Sequence, residues 1–117
     1  MTLKQEILDI AETIKQAVPV EKIYLFGSHA YGTPDADSDY DFFLVLPDNG
    51  LRQLDALLKA RKALPLKRET PVDILGDYKR RFNERKKFNT LERKIFREGV
   101  LLYEQSRYRK RVAANSL

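Results

Sequence analysis

Residues 23–46 read IYLFGSHAYGTPDADSDYDFFLVL. Two apolar runs bracket a polar loop, so the stretch reads as strand, turn, strand. Gly27-Ser28 closes the first strand and Asp39-Tyr40-Asp41 opens the second. Side chains alternate between the faces of a strand, so residues two apart point the same way. Asp39 and Asp41 are thereby expected on one face, beside Phe42, Phe43 and Leu44. Two like charges about 4 Å apart repel by about 4 kcal/mol at an effective dielectric near 20. A divalent cation reverses the sign of that energy, and magnesium takes hard oxygen ligands of this kind. Gly27-Ser28 supplies the complementary half. Glycine lets a backbone approach a phosphate closely, and the amides and hydroxyl of a strand-to-helix turn donate to its oxygens. The stretch therefore reads as a phosphate cradle facing a carboxylate pair that holds metal.

A third carboxylate comes from Pro71-Val72-Asp73-Ile74-Leu75, an aspartate inside an otherwise apolar strand pattern. An unpaired ionised carboxylate is costly in such a place unless it is hydrogen-bonded or metal-bound. In two-metal phosphoryl chemistry, two bridging carboxylates hold both ions and a third group holds the nucleophile-side ion. Asp73 suits that third place, where it would help an acceptor hydroxyl lose its proton. Taken singly, each aspartate also suits a plainer role. Asp39 can open a strand, Asp41 can sit at an exposed edge, and Asp73 can pair with Arg68 or another base. The joint pattern argues against three separate accidents.

The rest of the chain supplies one frame for these residues. At 117 residues it suits a single domain with one core. It lacks a run of about 18 apolar residues and a charged-then-apolar leader, so neither a membrane span nor a signal peptide is expected. Without cysteine it has no disulfide framework or thiolate chemistry, and a cytoplasmic setting is the expectation. Leu3 to Val18 carries apolar residues at helical spacing, with a capping-box pattern at Thr2 and Gln5 and a stop at Pro19. Lys22–Phe26 is the first strand, Ser28–Gly32 a helical turn, and Ser38–Leu46 the second strand. Pro47-Asp48-Asn49-Gly50 is a turn. Leu51, Leu54, Leu57, Leu58 and Leu64 mark an amphipathic helix that Pro65 stops. A third strand spans Pro71–Leu75, broken by Gly76, and Asp77 caps a helix from Tyr78 to about Phe88. A further helix starts at Asn89 or Thr90 and runs through Glu98, with Gly99 at its stop, and Val100–Tyr103 is a last strand. The expected architecture is an α/β (α+β) fold, a small mixed β-sheet with helices packed on it, over residues 1–104. Residues 105–117 read as a basic, frayed tail.

Gly27-Ser28, ten intervening residues and then Asp39-Tyr40-Asp41 resembles the signature of the DNA polymerase β-like nucleotidyltransferase superfamily. The compact length and the ending Arg97-Glu98-Gly99-Val100-Leu101-Leu102-Tyr103-Glu104 resemble its minimal nucleotidyltransferase branch. The resemblance implies magnesium-dependent transfer of a nucleoside monophosphate, usually AMP from ATP, to a hydroxyl with loss of pyrophosphate. It implies that Asp39, Asp41 and Asp73 are the catalytic and metal-holding residues for two magnesium ions. Gly27 and Ser28 would bind the β- and γ-phosphates of the nucleotide. It further implies an antitoxin that adenylylates a tyrosine of a HEPN-domain toxin. Where the family commonly carries arginines after the Gly-Ser pair, this chain has His29 and Tyr31.

Other motifs have plainer and sharper readings side by side. His29 either donates to a phosphate oxygen or only lines the turn, and the second is favoured. Tyr31 and Tyr40 either stack on a base or pack at the sheet, again with the second favoured. The basic run Lys79-Arg80-Arg81, Arg85-Lys86-Lys87, Arg93-Lys94 and Arg97 reads first as a solvated helix face. An acidic protein partner comes next and nucleic acid last, since no RNA-binding or zinc motif accompanies it. Phe82, Phe88, Leu91, Ile95 and Phe96 are expected as core anchors. The net charge of +5 fits an anionic partner or simple solubility. Little chain remains beyond the core for a domain that would recognise an antibiotic or a tRNA end. The acceptor is therefore expected to be a protein with its own docking surface, or a self-associated copy completes the pocket. A binding-only antitoxin and a small-molecule nucleotidyltransferase are the rival readings.

Overall fold

The computed structural model describes residues 3–34, 38–66 and 70–105. Along the chain run α1 (Gln5–Ala17), β1 (Lys22–Phe26), α2 (Ser28–Tyr31), β2 (Tyr40–Leu46) and α3 (Gln53–Ala63). They are followed by β3 (Val72–Tyr78), α4 (Lys79–Arg85), α5 (Leu91–Glu98) and β4 (Val100–Glu104). The strands form a mixed sheet in the order β3-β2-β1-β4. β1 pairs antiparallel with β2 and β4, whereas β2 and β3 are parallel. Parallel strands need a crossover, and α3 supplies it. The expected small mixed sheet with packed helices is the fold observed.

The two faces of the sheet are covered differently. Ile23 and Leu25 of β1, Tyr40, Phe42, Leu44 and Leu46 of β2 and Ile74 of β3 point to one face. There they pack against Ile7, Ile10, Ala11 and Ile14 of α1 and Ala56 and Ala60 of α3. The opposite face carries Tyr24, Phe43 and Val45, covered by Phe82 of α4 and Ile95 of α5. The Phe82 ring lies 5.7 Å from that of Tyr24 and 5.5 Å from that of Phe43. This second cover is short, and it leaves the ends of the face open.

Several expectations are corrected by packing. Thr2 lies outside the described residues, and α1 is capped at Lys4 without a side-chain hydrogen bond. β2 begins at Tyr40 rather than Ser38, so Asp39 stands just before the strand. Of the leucines expected on the buried side of α3, Leu57 and Leu64 pack into the core and the others do not. Leu54 is 63% exposed and Leu58 is 40% exposed, while Ala56 and Ala60 are buried. Small residues let α3 lie close to the sheet and to α1, which the larger leucines would prevent. On the second face, Phe88, Leu91 and Phe96 are exposed, and only Phe82 and Ile95 are core. α4 ends at Arg85 rather than near Phe88, and that early stop carries Phe88 away from the sheet. Thr90 caps α5 by accepting from the Arg93 amide at 3.1 Å. The expected tail from residue 105 onward lies outside the described residues except for Gln105.

Gly76 does not break β3, which continues through Gly76 and Asp77 to Tyr78. Asp77 is a strand residue, and the helix cap falls on Tyr78. Glycine is required at position 76 by space. A Cβ there would come within 2.7 Å of the Leu44 carbonyl oxygen and 3.0 Å of Leu57 Cδ2. Gly76→Ala should therefore push α3 off the sheet and destabilise the fold by about 1–3 kcal/mol, as overpacking does. Urea unfolding of the two forms measures it. The outer edge of β3 is closed by α3, whose Gln53 and Arg61 side chains donate to the Gly76 and Ile74 carbonyls.

Candidate active site

β1 delivers the chain to the site. Its last residue, Phe26, pairs with Asp41 of β2. The backbone then turns at Gly27 with φ 77° and ψ −165°, a conformation that essentially only glycine adopts. The reason is visible across the turn, since a Cβ on Gly27 would fall 2.2 Å from Asp41 Oδ2. The Asp41 carboxylate thus lies directly against the glycine backbone. α2 follows as a single turn, with the Gly27 carbonyl accepting from the Ala30 and Tyr31 amides. Ser28 and His29 open that turn, where amides have no carbonyl of their own helix to bond. Gly32, at φ 80°, ends it.

The parallel pairing of β2 and β3 sets Asp41 directly beside Asp73. Both lie on the second face of the sheet, at the end that α4 and α5 leave uncovered. Asp41 is half-buried, and Asp39 and Asp73 are exposed. Asp73 is therefore not the buried carboxylate its apolar neighbours suggest, because Ile74 and Val72 take the opposite face. Arg68, its plainer partner in the sequence reading, lies outside the described residues. Burial pushes the Asp41 carboxyl above its usual range, and the Asp73 and Asp39 carboxylates push it further, while His29 opposes them. Asp39 and Asp73 are thus close enough to disfavour the charge on Asp41. They do not close on a common point, and no three His, Asp or Glu side chains among the described residues are gathered as a ready metal cage.

The remaining sequence candidates take quieter places. His29 Nε2 is 3.4 Å from the Ser38 carbonyl, and its ring meets Tyr40 edge-on at 4.7 Å. It lines the turn. Tyr40 is buried at 2% exposure, so its ring belongs to the core. Tyr31 packs against that same core with the Lys94 ammonium 4.9 Å over its ring. In the basic run, Arg81 pairs with Asp77 at 3.5 Å and Arg85 with Glu92. Lys86 lies 4.1 Å above the Phe96 ring. These contacts belong to a helix layer that is partly paired within itself, rather than to a bare cationic face.

Leu75 has a place that the apolar pattern of its strand does not suggest. Leu75 shares the face of Asp73, two residues on, and is 36% exposed. With Phe43, Arg81, Arg85, Asp77 and Glu92 it lines an open hollow of about 420 Å³. The alternation of the strand was the available signal, since Asp73 and Leu75 must point the same way.

Comparison with known proteins agrees with this fold. Among curated proteins, none matches the chain in sequence. A Sulfolobus solfataricus protein assigned as a nucleotidyltransferase superposes with a TM-score of 0.56 at 17% identity, over 88% of this chain and 81% of that one. A toxin–antitoxin structure with AMP-PNP gives 0.53 at 21% identity, over 91% and 79%. The MntA–HpeT toxin–antitoxin, carrying two aspartate-to-glutamate substitutions, gives 0.55 at 19% identity, over 97% and 83%. At these identities the likeness establishes the fold, that of the polymerase β-like nucleotidyltransferases. Residues 7–102, which hold both the glycine turn and the aspartates, match the nucleotidyltransferase domain, and the chain belongs to that family.

Proposed function

We propose that the protein is a magnesium-dependent nucleotidyltransferase that moves AMP from ATP onto a hydroxyl, that of a tyrosine on a HEPN-domain toxin, and so acts as its antitoxin. The observation that carries this reading is the placement of Asp41. It is in register with Asp73 on one side and against the Gly27 turn on the other. The donor set is oxygen only and mutually repelling, which suits magnesium and gives a cation an electrostatic reason to bind. Asp39, Asp41 and Asp73 would hold the ions. Bound there, the ions would neutralise phosphate charge and favour the ionised acceptor hydroxyl.

The chain's own residues account for the rest. The Gly27 turn gives a phosphate tail close backbone approach, and Ser28 donates to its oxygens. Asp73, exposed at the strand end, accepts the proton of the attacking hydroxyl. The acceptor oxygen bonds to the α-phosphorus, the bond from that phosphorus to the β-phosphate bridging oxygen breaks, and pyrophosphate leaves. Catalysis of this kind is mostly positioning and charge stabilisation. The antitoxin role is supported by analogy with the two toxin–antitoxin structures of like fold.

The test is to incubate the protein with labelled ATP, magnesium and the product of the neighbouring gene. Label and a mass gain of one AMP or more on that partner are expected. A protein that binds no nucleotide and labels nothing overturns the enzyme reading. If an Asp39→Asn/Asp41→Asn variant neutralises the partner and leaves its mass unchanged, as wild type also does, the protein is a binding-only antitoxin.

A further inference from the structure

Residues 27–41 hold the glycine turn and two of the aspartates, but no lysine or arginine. A phosphate tail at that turn would meet backbone amides and the Ser28 hydroxyl, so a lysine or arginine for it must come from another element. His29 is already engaged by the Ser38 carbonyl and the Tyr40 ring. Lys94 of α5 brings a cation in. Its ammonium stands 4.9 Å over the ring of Tyr31, the last residue of α2.

The geometry of a helical turn relates that ring to the glycine turn. Ser28 and Tyr31 are three residues apart, so their side chains share one face with β-carbons about 5–6 Å apart. A helical side chain also leans toward its helix N-terminus and covers the turn before its own Cα. Tyr31 is thereby tilted back toward Ser28, and the Gly27 carbonyl accepts from its amide at 3.1 Å. The unliganded state of Lys94 is as informative as its place. Other cations of the α4–α5 layer are neutralised, Arg81 by Asp77, Arg85 by Glu92 and Lys87 by Glu84. Lys94 is exposed, and no carboxylate among the described residues pairs with it. An exposed cation–π contact is weaker than a charge-assisted hydrogen bond to phosphate. The flexible four-carbon stem lets the ammonium move from one to the other while the helix stays in place. Resting on the nucleotidyltransferase reading above, we infer that Lys94 is the cation that grips the β- and γ-phosphates beside Gly27-Ser28, leaving the Tyr31 ring to do so. It therefore separates nucleotides with a phosphate tail from those without one, and it takes no part in holding the nucleoside.

Binding tests this without relying on turnover. ATP and AMP compete against a fluorescent ATP analogue in magnesium, with wild type, Lys94→Gln, Lys94→Arg and Arg97→Gln. Lys94→Gln should weaken ATP about tenfold, the loss of one charge-assisted contact, and leave AMP unchanged. Lys94→Arg should keep most of the ATP affinity. Arg97→Gln removes an equal charge from the next turn of α5 and should change ATP affinity less than twofold. Both positions are exposed, so thermal scans of these variants should overlay that of wild type. Undiminished ATP binding by Lys94→Gln overturns the inference alone. An equal loss in Arg97→Gln also overturns it, because the net charge of the helix then acts in place of one side chain. Equal weakening of AMP and ATP by Lys94→Gln overturns it by moving the contact off the phosphate tail. A wild type that binds neither nucleotide overturns the underlying reading, and the role of Lys94 with it.

Discussion

Gly27→Ala is expected to remove nucleotidyl transfer and to lower stability together. Two costs coincide at that position. The backbone at φ 77°, ψ −165° is a region that L side chains avoid, and holding a residue there costs about 1–3 kcal/mol. The new methyl would also stand 2.2 Å from Asp41 Oδ2, so Asp41 must swing away or the turn must open. A domain of this size loses about 4 °C of melting temperature per kcal/mol, which makes the loss plain in a thermal scan. Magnesium-dependent ATP binding should fall with it, because the displaced groups belong to both halves of the proposed site. Gly32→Ala is the control. Gly32 is also left-handed but has nothing within 4 Å of a built Cβ, so it should cost stability and spare ATP binding. A Gly27→Ala protein that melts normally and binds ATP normally would refute the account of the turn.

Asp41→Asn is expected to act in opposite directions on catalysis and on stability. Loss of a central charge-stabilising group lowers turnover by about a hundred- to a thousandfold. Without metal, however, the ionised Asp41 carboxylate is a burden on the folded state, because burial and the neighbouring Asp73 and Asp39 carboxylates raise its pKa. A carboxyl raised on folding binds its proton more tightly when folded than when unfolded. Its penalty is therefore full at neutral pH and fades as pH falls through the folded value toward the unfolded one near 4. In a chelator at pH 7 the asparagine variant should melt above wild type, and the two should converge by about pH 4. Added magnesium should stabilise wild type and leave the variant unmoved. A variant that melts below wild type in chelator would show that Asp41 supports the fold rather than the chemistry.

Much of this arrangement is legible before any coordinates, because it depends on local rules. The position of β1 follows from the four-residue apolar run Ile23–Phe26 ended by glycine, and the Gly27 turn follows from glycine and serine at a strand end. That Asp41 faces away from Phe42 follows from alternation alone. The register that joins Asp41 to Asp73 is not local. It depends on how α3 returns the chain, and nothing in Pro71–Leu75 specifies it. The failures share this origin. Leucines on α3 outrank alanines on any hydrophobicity scale, yet Ala56 and Ala60 are fully buried while Leu54 and Leu58 face out, and of the leucines only Leu57 and Leu64 pack into the core. Gly76 looks like a breaker until Leu44 and Leu57 are seen to occupy the space of its missing Cβ. Phe88, Leu91 and Phe96 fit a helical pattern, but α4 stops one turn too early to bring Phe88 to the sheet. Apolar spacing gives the period of a helix and leaves open which neighbour it will meet.

The two side chains that α3 lays over the rim of β3 have a bearing on recognition. Gln53 and Arg61 already occupy the carbonyls of Gly76 and Ile74, the acceptors a visiting strand would use for main-chain pairing. A polypeptide arriving at that border is thereby discouraged from zipping on as an extra ribbon. It must instead offer a projecting residue, so selectivity there would rest on one protruding group and hardly at all on the sequence-blind grip of backbone on backbone.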